Sequence, residues 1–257
     1  NDQIRRLQPG GHLVEVGEAA AQAGYGLVLL EQGLDAVHRL GQQVLDRLEP
    51  FAAGVLLGTG APTISNVVVE DCTATERGGA IWIAYLSHPV FNNCRFVGNH
   101  SNIHGGALYI EPGSSAVFTD CEFEANLQST APVTIVERGG SARAIECTGT
   151  VTGTRFANER ATGRGGAWAA VGGDVEFVGC RFEGNDGGVF GGALQIELGG
   201  RLRLRDTLMQ GNAAAFGGGV AVSFTADLEL DHVTIVEGQA RSPGQAQQIV
   251  DTIRLYA

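Results

Sequence analysis

Three side chains able to hold a ligand stand at the same distance after a pair of glycines. Trp82, Tyr109 and Arg143 each lie four residues beyond the first glycine of a Gly–Gly pair. An aromatic ring offers an apolar face to a sugar or to a protein side chain, and a guanidinium donates hydrogen bonds and stacks on such rings. If the fold brings these residues onto one exposed face, they form a candidate binding site for a glycan or a protein partner.

Acidic side chains are the residues that could instead support catalysis. Hydrolysis of a glycosidic bond needs two carboxyl groups converging on one bond. The aspartates are instead scattered over predicted turns, at Asp71, Asp120, Asp174, Asp206 and Asp231. Glu111 and Glu197 occupy one outward strand position, but they lie three repeats apart, about 14 Å at the spacing of neighbouring strands. The sequence favours a non-catalytic protein without a cofactor. The alternative, a carbohydrate-active enzyme, would bring several acids and a base into one groove.

An internal repeat must position these side chains. Successive glycine pairs are separated by 26 or 27 residues, with one step of 34, and begin at Gly78, Gly105, Gly139, Gly165, Gly191 and Gly217. Large apolar residues follow with nearly the same steps, at Phe96, Phe123, Phe156, Phe182, Met209 and Ile235. Each unit holds two or three short alternating runs and has no room for a helix. Stacked units of this size predict an all-β protein, a single parallel β-helix of about eight coils with about 26 residues per coil.

Two further columns of equivalent residues are predicted to build the scaffold. Cys94, Cys121 and Cys180 alternate with threonines at one inward position, where a small side chain packs. Asparagines recur three residues after the large apolar position, at Asn99, Asn126, Asn185 and Asn212, with Glu159 as the exception. Asparagine side chains in such a column can hydrogen-bond the backbone and one another at a turn. The outward Trp82, Tyr109 and Arg143 do not repeat in this way.

The repeat divides the chain into three parts. Residues 1–52 are predicted to form irregular coils or a capping region, residues 53–238 the β-helix, and residues 239–257 a cap or final strand. Within the first part, residues 30–48 divide into short strands, although their apolar spacing also suits a capping helix. Val69, Cys72 and Ala74 have the spacing of Phe91, Cys94 and Phe96, which predicts an earlier coil with a shortened turn. The long step comes from an inserted loop at 127–138, a place where binding features often lie.

Composition narrows the possible partners. The formal net charge of −11, with arginine as the only basic residue besides histidine, argues against binding to nucleic acid. No run approaches the length that a membrane-spanning helix needs, so we expect no membrane span in this chain. Five cysteines cannot all pair and have no CxxC metal spacing. An uncapped coil would be an open sheet edge, so self-association remains a prediction.

The repeats resemble those of a known protein family. The segments GGAI at 78, GGAL at 105 and 191, FVGN at 96, FEAN at 123 and FEGN at 182 are similar to the GGA[ILV] and FxxN repeats of the polymorphic outer membrane proteins. They also resemble bacterial secreted proteins of the pectin-lyase-like class. This resemblance implies a right-handed parallel β-helix, exported and displayed at a bacterial cell surface as an adhesive or structural module. The hydrolases of that superfamily carry NTD, DD, GHG and RIK motifs, which this sequence lacks.

Overall fold

A computed structural model of the chain describes residues 34–40, 55–57, 61–83, 86–128, 142–223, 225–241 and 252–256. In these ranges the protein is all-β and forms a parallel solenoid of about six turns, each of about 27 residues. The prediction of a parallel β-helix is therefore confirmed, and the expected eight coils are close to the number observed. Every strand pair within the three sheets is parallel.

Sheet 1 is the broadest sheet, because most coils contribute two strands to it. One left-handed residue divides the two strands, as Asn93 (φ 51°) and Asp120 (φ 51°) do in successive coils. Asn and Asp tolerate this conformation better than other non-glycine residues, and Gly153 and Gly179 replace them farther along. The strands of sheet 1 are Leu34–Leu40, Thr63–Glu70, Val90–Asn92, Arg95–Val97, Ser115–Thr119, Glu122–Glu124, Thr148–Thr152, Arg155–Ala157, Asp174–Val178, Arg181–Glu183, Arg201–Arg205, Leu208–Gln210, Asp227–Asp231, Thr234–Val236 and Thr252–Tyr256.

Sheet 2 follows the glycine pairs and carries the candidate binding residues. Its alternate inward residues are apolar and buried, among them Ile81, Leu108 and Leu194. The period of two therefore sends the residues between them outward. The strands of sheet 2 are Val55–Leu57, Ile81–Ile83, Leu108–Ile110, Ala142–Ile145, Trp168–Val171, Leu194–Glu197 and Val220–Ser223.

Sheet 3 is a narrow row of two-residue strands that follow the asparagine column. Its first part contains Thr73–Ala74, His100–Ser101, Leu127–Gln128 and Arg160–Ala161. Single bridges through Asp186 connect this row to Ala213–Ala214, which pairs with Gln239–Ala240. The three sheets thus enclose one continuous core.

Stacked phenylalanines fill that core. The ring of Phe123 lies between those of Phe96 and Phe156, with centroids 4.6 and 4.9 Å apart, and Phe156 stacks on Phe182 at 4.9 Å. All four side chains are buried. Parallel register requires this arrangement, because equivalent positions of successive coils lie directly above one another. Burial of each ring contributes about 1.5 to 3 kcal/mol.

The asparagine column forms the expected hydrogen-bonded ladder. Asn126 accepts hydrogen bonds at its Oδ1 from the backbone N–H and the side-chain Nδ2 of Asn99, each at 2.9 Å. The Nδ2 group of Asn126 donates in turn to the carbonyl of Phe96. Asn185 and Asn212 repeat the same contacts. The left-handed conformation belongs to the residue just before each asparagine, for example Gly98 or Ala125.

The first full coil has a different register from the one predicted. Val69 pairs with Phe96, so Cys72 lies at the level of Asn99 rather than Cys94. The backbone N–H of Cys72 donates to Oδ1 of Asn99 at 3.1 Å. Val69 is therefore the equivalent of Phe96, and the predicted shortened turn is wrong. Cys72 was predicted to be the equivalent of Cys94, but small side chains fit at several inward positions, so a shared cysteine does not set the register.

The ends of the solenoid are described only in part. Leu34–Leu40 is a strand that pairs with Thr63–Glu70, and Thr252–Tyr256 is a strand that pairs with Asp227–Asp231. The rest of residues 1–52, apart from the segment at 34–40, and the predicted loop beyond Gln128 lie outside the described residues. No helix long and apolar enough to cross a bilayer occurs where the structure describes the chain.

Candidate functional site

The backbone of sheet 2 aligns the three predicted binding residues. Trp82 pairs with Tyr109, and Tyr109 pairs with Arg143, so the three occupy one outward position on consecutive coils. The rings of Trp82 and Tyr109 meet edge to face with centroids 6.3 Å apart. The side chain of Arg143 lies outside the described part of the structure. The column predicted from the glycine spacing thus exists at the backbone level.

Tyr109 does not have the exposure that the sequence predicted. Only 4% of this residue is accessible to solvent, whereas Trp82 is half-buried. The ring of His104 stacks on Tyr109, with centroids 5.9 Å apart and an angle of 16° between the rings, and the guanidinium of Arg77 covers it at 5.0 Å. Tyr109 therefore forms the floor of the surface, and Trp82 is the aromatic residue that a ligand could reach.

Arg77 supplies the cation of this surface. It immediately precedes Gly78, whose left-handed φ of 56° turns the chain from sheet 3 towards sheet 2. The guanidinium also lies 5.8 Å from the centroid of Trp82. One cation therefore contacts the rings of two adjacent coils, an arrangement that is favourable because aromatic faces carry negative potential.

Glu111 completes the cluster from the following coil. Its Oε1 lies 3.9 Å from Nη1 of Arg77, and both side chains remain partly accessible, 24% for Glu111 and 39% for Arg77. We call Arg77, Trp82, His104, Tyr109 and Glu111 the aromatic site. It presents a half-buried indole beside donors and an acceptor, which is the chemistry needed to hold hydroxyl groups and an apolar ring face.

A second Arg–Glu pair occupies an equivalent place farther along the same sheet. Arg164 precedes Gly165 as Arg77 precedes Gly78, and its Nη1 donates to Oε2 of Glu197 on the next coil. This pair is closed: the side chains are 14% and 2% accessible. The ring of Phe190 lies 5.4 Å from the guanidinium. Alternate positions along this strand of sheet 2 were predicted to face outward, but the side chains that precede the glycine pairs cover them.

The outer face of sheet 1 carries most of the other described ion pairs. Arg95 and Arg155 both contact Glu122, at 2.6 and 2.9 Å, and Arg155 also contacts Glu183 at 2.8 Å. Contact with Glu183, and then with Glu122, raises the pKa of Arg155. These carboxylates share one face, but each accepts from a guanidinium on a neighbouring strand. Such alternation is typical of cross-strand charge pairing.

The cysteines contribute packing and no described disulfide. All five are buried free thiols. Burial, together with the nearby carboxylates of Asp71 and Glu70, raises the pKa of Cys72 to about 12, and burial raises the pKa of Cys180 to about 11. The pKa of Cys121 is also raised, mainly by contact with the thiol of Cys94 and to a smaller extent by burial. Among the described residues no group of His, Cys, Asp and Glu is arranged to hold a metal ion.

The comparisons with known proteins agree with the fold. A family model described as a right handed beta helix region matches residues 61–148, about a third of the chain. Together with the parallel register of all three sheets, this match defines a right-handed parallel β-helix. A search of curated proteins and a search of solved structures found no match.

Three residues of the aromatic site, Arg77, His104 and Glu111, were not identified as binding residues from the sequence. Arg77 and His104 stand immediately before their glycine pairs, and their backbones form a parallel bridge. Arg164, Phe190 and Phe216 continue that position. Examination of the column before each glycine pair, in addition to the column after it, would have found Arg77 and His104.

Proposed function

We propose that the protein is an exported, non-catalytic β-helix module that binds a glycan at the aromatic site. The observation that carries this proposal is the position of the Arg77 guanidinium over both Trp82 and Tyr109. Carbohydrates are held by aromatic faces together with planar hydrogen-bonding groups, and this cluster offers both within two coils.

The rigid scaffold supports a binding role. The backbone of each residue of the site is held by strand register or by the adjacent turn, so little backbone entropy is lost when a ligand binds. The resemblance of the repeats to those of surface-displayed bacterial proteins supports an adhesive or structural role outside the cell. The alternative is a protein partner on this face, which the absence of binding to every glycan in the test below would favour.

A glycan array followed by calorimetry tests the proposal. The wild-type protein is expected to bind a limited set of glycans, and Trp82→Ala to weaken binding at least about tenfold, because a buried aromatic contact is lost. Val117→Ala removes an exposed apolar side chain from sheet 1 and serves as the control. Equal affinities for wild type and Trp82→Ala would contradict the site.

A carbohydrate-active enzyme is the second candidate, and the face of sheet 1 is where it would act. Glu122, Glu124 and Glu183 lie there around Arg95 and Arg155. Glycoside hydrolysis needs two carboxyl groups that converge on one bond, whereas each of these glutamates is engaged by a guanidinium of a neighbouring strand. We therefore expect no release of reducing ends or unsaturated products from polysaccharides. Release that disappears in Glu122→Gln would establish the enzyme instead.

A further inference from the structure

The Arg77–Glu111 pair has the same place in its coil as the Arg164–Glu197 pair, but its two side chains do not bond directly and are more exposed. In both cases arginine precedes a glycine pair and glutamate lies on the next coil of sheet 2. Arg164 donates directly to Glu197, and its guanidinium lies over the ring of Phe190. At the aromatic site, the wide rings of Trp82 and Tyr109 occupy the positions that Ala169 and Gln195 hold in the closed pair.

The Arg77–Glu111 pair leaves its polar groups in a geometry suited to hydroxyl groups. A separation of 3.9 Å between Nη1 of Arg77 and Oε1 of Glu111 is too long for a direct hydrogen bond. Partly exposed ion pairs of this kind add little to stability, so a ligand can compete for both partners at low cost. The guanidinium can donate to one hydroxyl oxygen, and the carboxylate can accept from the neighbouring hydroxyl.

Electrostatics disfavours an acidic ligand at the same place. The charge of Arg77 is balanced by Glu111, and the whole chain carries a formal net charge of −11. A carboxylate on the ligand would approach Arg77 only with Glu111 close by, and like charges at such a distance repel. An uncharged ring keeps the contact with Trp82 without this repulsion.

From this geometry we infer that the ligand is an uncharged sugar with two adjacent hydroxyl groups, held between Arg77 and Glu111 with its apolar face towards Trp82. The inference rests on the proposed glycan-binding function and specifies its substrate class. Glu111 serves as a hydrogen-bond acceptor for the ligand, and its charge excludes sugar acids.

Matched neutral and acidic oligosaccharides test the inference directly. Binding of mannohexaose against hexamannuronate, and of galactohexaose against hexagalacturonate, is measured by calorimetry with wild type, Arg77→Gln, Glu111→Gln and the control Arg95→Gln. We expect a neutral member to bind more tightly than its acidic partner. Arg77→Gln and Glu111→Gln should each weaken that binding at least about tenfold, since hydrogen bonds to charged groups are lost. Arg95→Gln, on sheet 1, should not change it.

The Glu111→Gln variant separates the two possible ligand classes by the sign of its effect. If the true ligand were acidic, removal of the negative charge would strengthen binding, and Arg77→Gln alone would weaken it. That result overturns the inference and leaves glycan binding intact. Failure of wild type to bind any glycan on the array or in these pairs would overturn the proposed function and the inference with it. Thermal unfolding of each variant shows that the fold is retained.

Discussion

Asn126 illustrates how much of the scaffold depends on single buried amides. Its side chain accepts two hydrogen bonds from Asn99 and donates to the carbonyl of Phe96 and to Oε1 of Glu159. A buried polar group that loses its partner costs about 1 to 3 kcal/mol. The ladder therefore fixes the turn of each coil through interactions between coils.

We predict that Asn126→Ala lowers the free energy of unfolding by about 3 kcal/mol or more, because it leaves the N–H groups of Asn99 and the carbonyl of Phe96 without their partners. Denaturant titration followed by circular dichroism measures the change. Asn92→Ala, which removes one partly buried hydrogen bond to Ser65, is the control and should cost less than about 1 kcal/mol. Similar losses for the two variants would show that the ladder is not cooperative.

The thiols are predicted to be inert in the folded protein. All five are buried, and burial raises the pKa of Cys72 to about 12 and that of Cys180 to about 11, whereas contact with the Cys121 thiol lowers the pKa of Cys94. Since a reagent must reach the sulfur as well as find it as thiolate, burial should keep a disulfide reagent at pH 8 from modifying any of them on the time scale of minutes. In denaturant all five should react, as measured by the absorbance of the released thiolate. Rapid reaction of a folded thiol would mean that the coils open locally.

Turns at the glycine pairs decide where each strand of sheet 2 begins. Gly191 has a left-handed φ of 64°, and a Cβ on it would overlap the carbonyl oxygen of Leu194. Gly199 has a similar φ of 71°, but a Cβ there would meet no atom within 4 Å. The two glycines thus share a backbone conformation and differ in the space around them.

Alanine substitutions at these two glycines should separate the cost of a left-handed backbone from the cost of a clash with neighbouring backbone atoms. Gly199→Ala should cost about 1 to 2 kcal/mol, the strain of a left-handed alanine. Gly191→Ala adds a clash with the backbone and should cost more than about 3 kcal/mol. Chemical denaturation of both variants measures the difference. Equal losses would mean that the turn rearranges to admit the added methyl group.

The molecule as a whole is strongly acidic, although many of its arginines are paired with carboxylates. The solenoid distributes arginines over paired positions on sheets 1 and 2, so that much of its positive charge is neutralised locally. The formal net charge remains −11. Repulsion from phosphates then opposes association with nucleic acid.

We therefore expect no retardation of double-stranded DNA or single-stranded RNA in a gel shift at near-physiological salt, up to micromolar protein. An arginine-rich DNA-binding domain serves as the positive control. A shift that weakens steeply with salt would reveal a local cationic surface strong enough to overcome the net charge.

The period, the fold class and the scaffold columns could all be predicted from the order of the residues. Parallel stacking places residues one period apart directly above each other, so recurrence in neighbouring units was enough to predict that Phe123 and Cys121 face inward and that Asn126 bonds within a ladder of equivalent side chains. The prediction was wrong for the first full coil, where Val69 and not Ala74 aligns with Phe96. That register depends on how the whole strand Thr63–Glu70 pairs.

The set of side chains that form the candidate site depends on the folded arrangement of the coils and could not be predicted from the repeat. The turn at Gly78 folds Arg77 over rings five residues away in its own coil and on the next coil, and His104 covers Tyr109. These contacts depend on the reach of side chains that do not recur, and on backbone angles at a single turn. The repeat carries no information about these contacts. Tyr109 was therefore expected to be exposed, whereas it forms the floor of the site, with Arg77 and Glu111 around it.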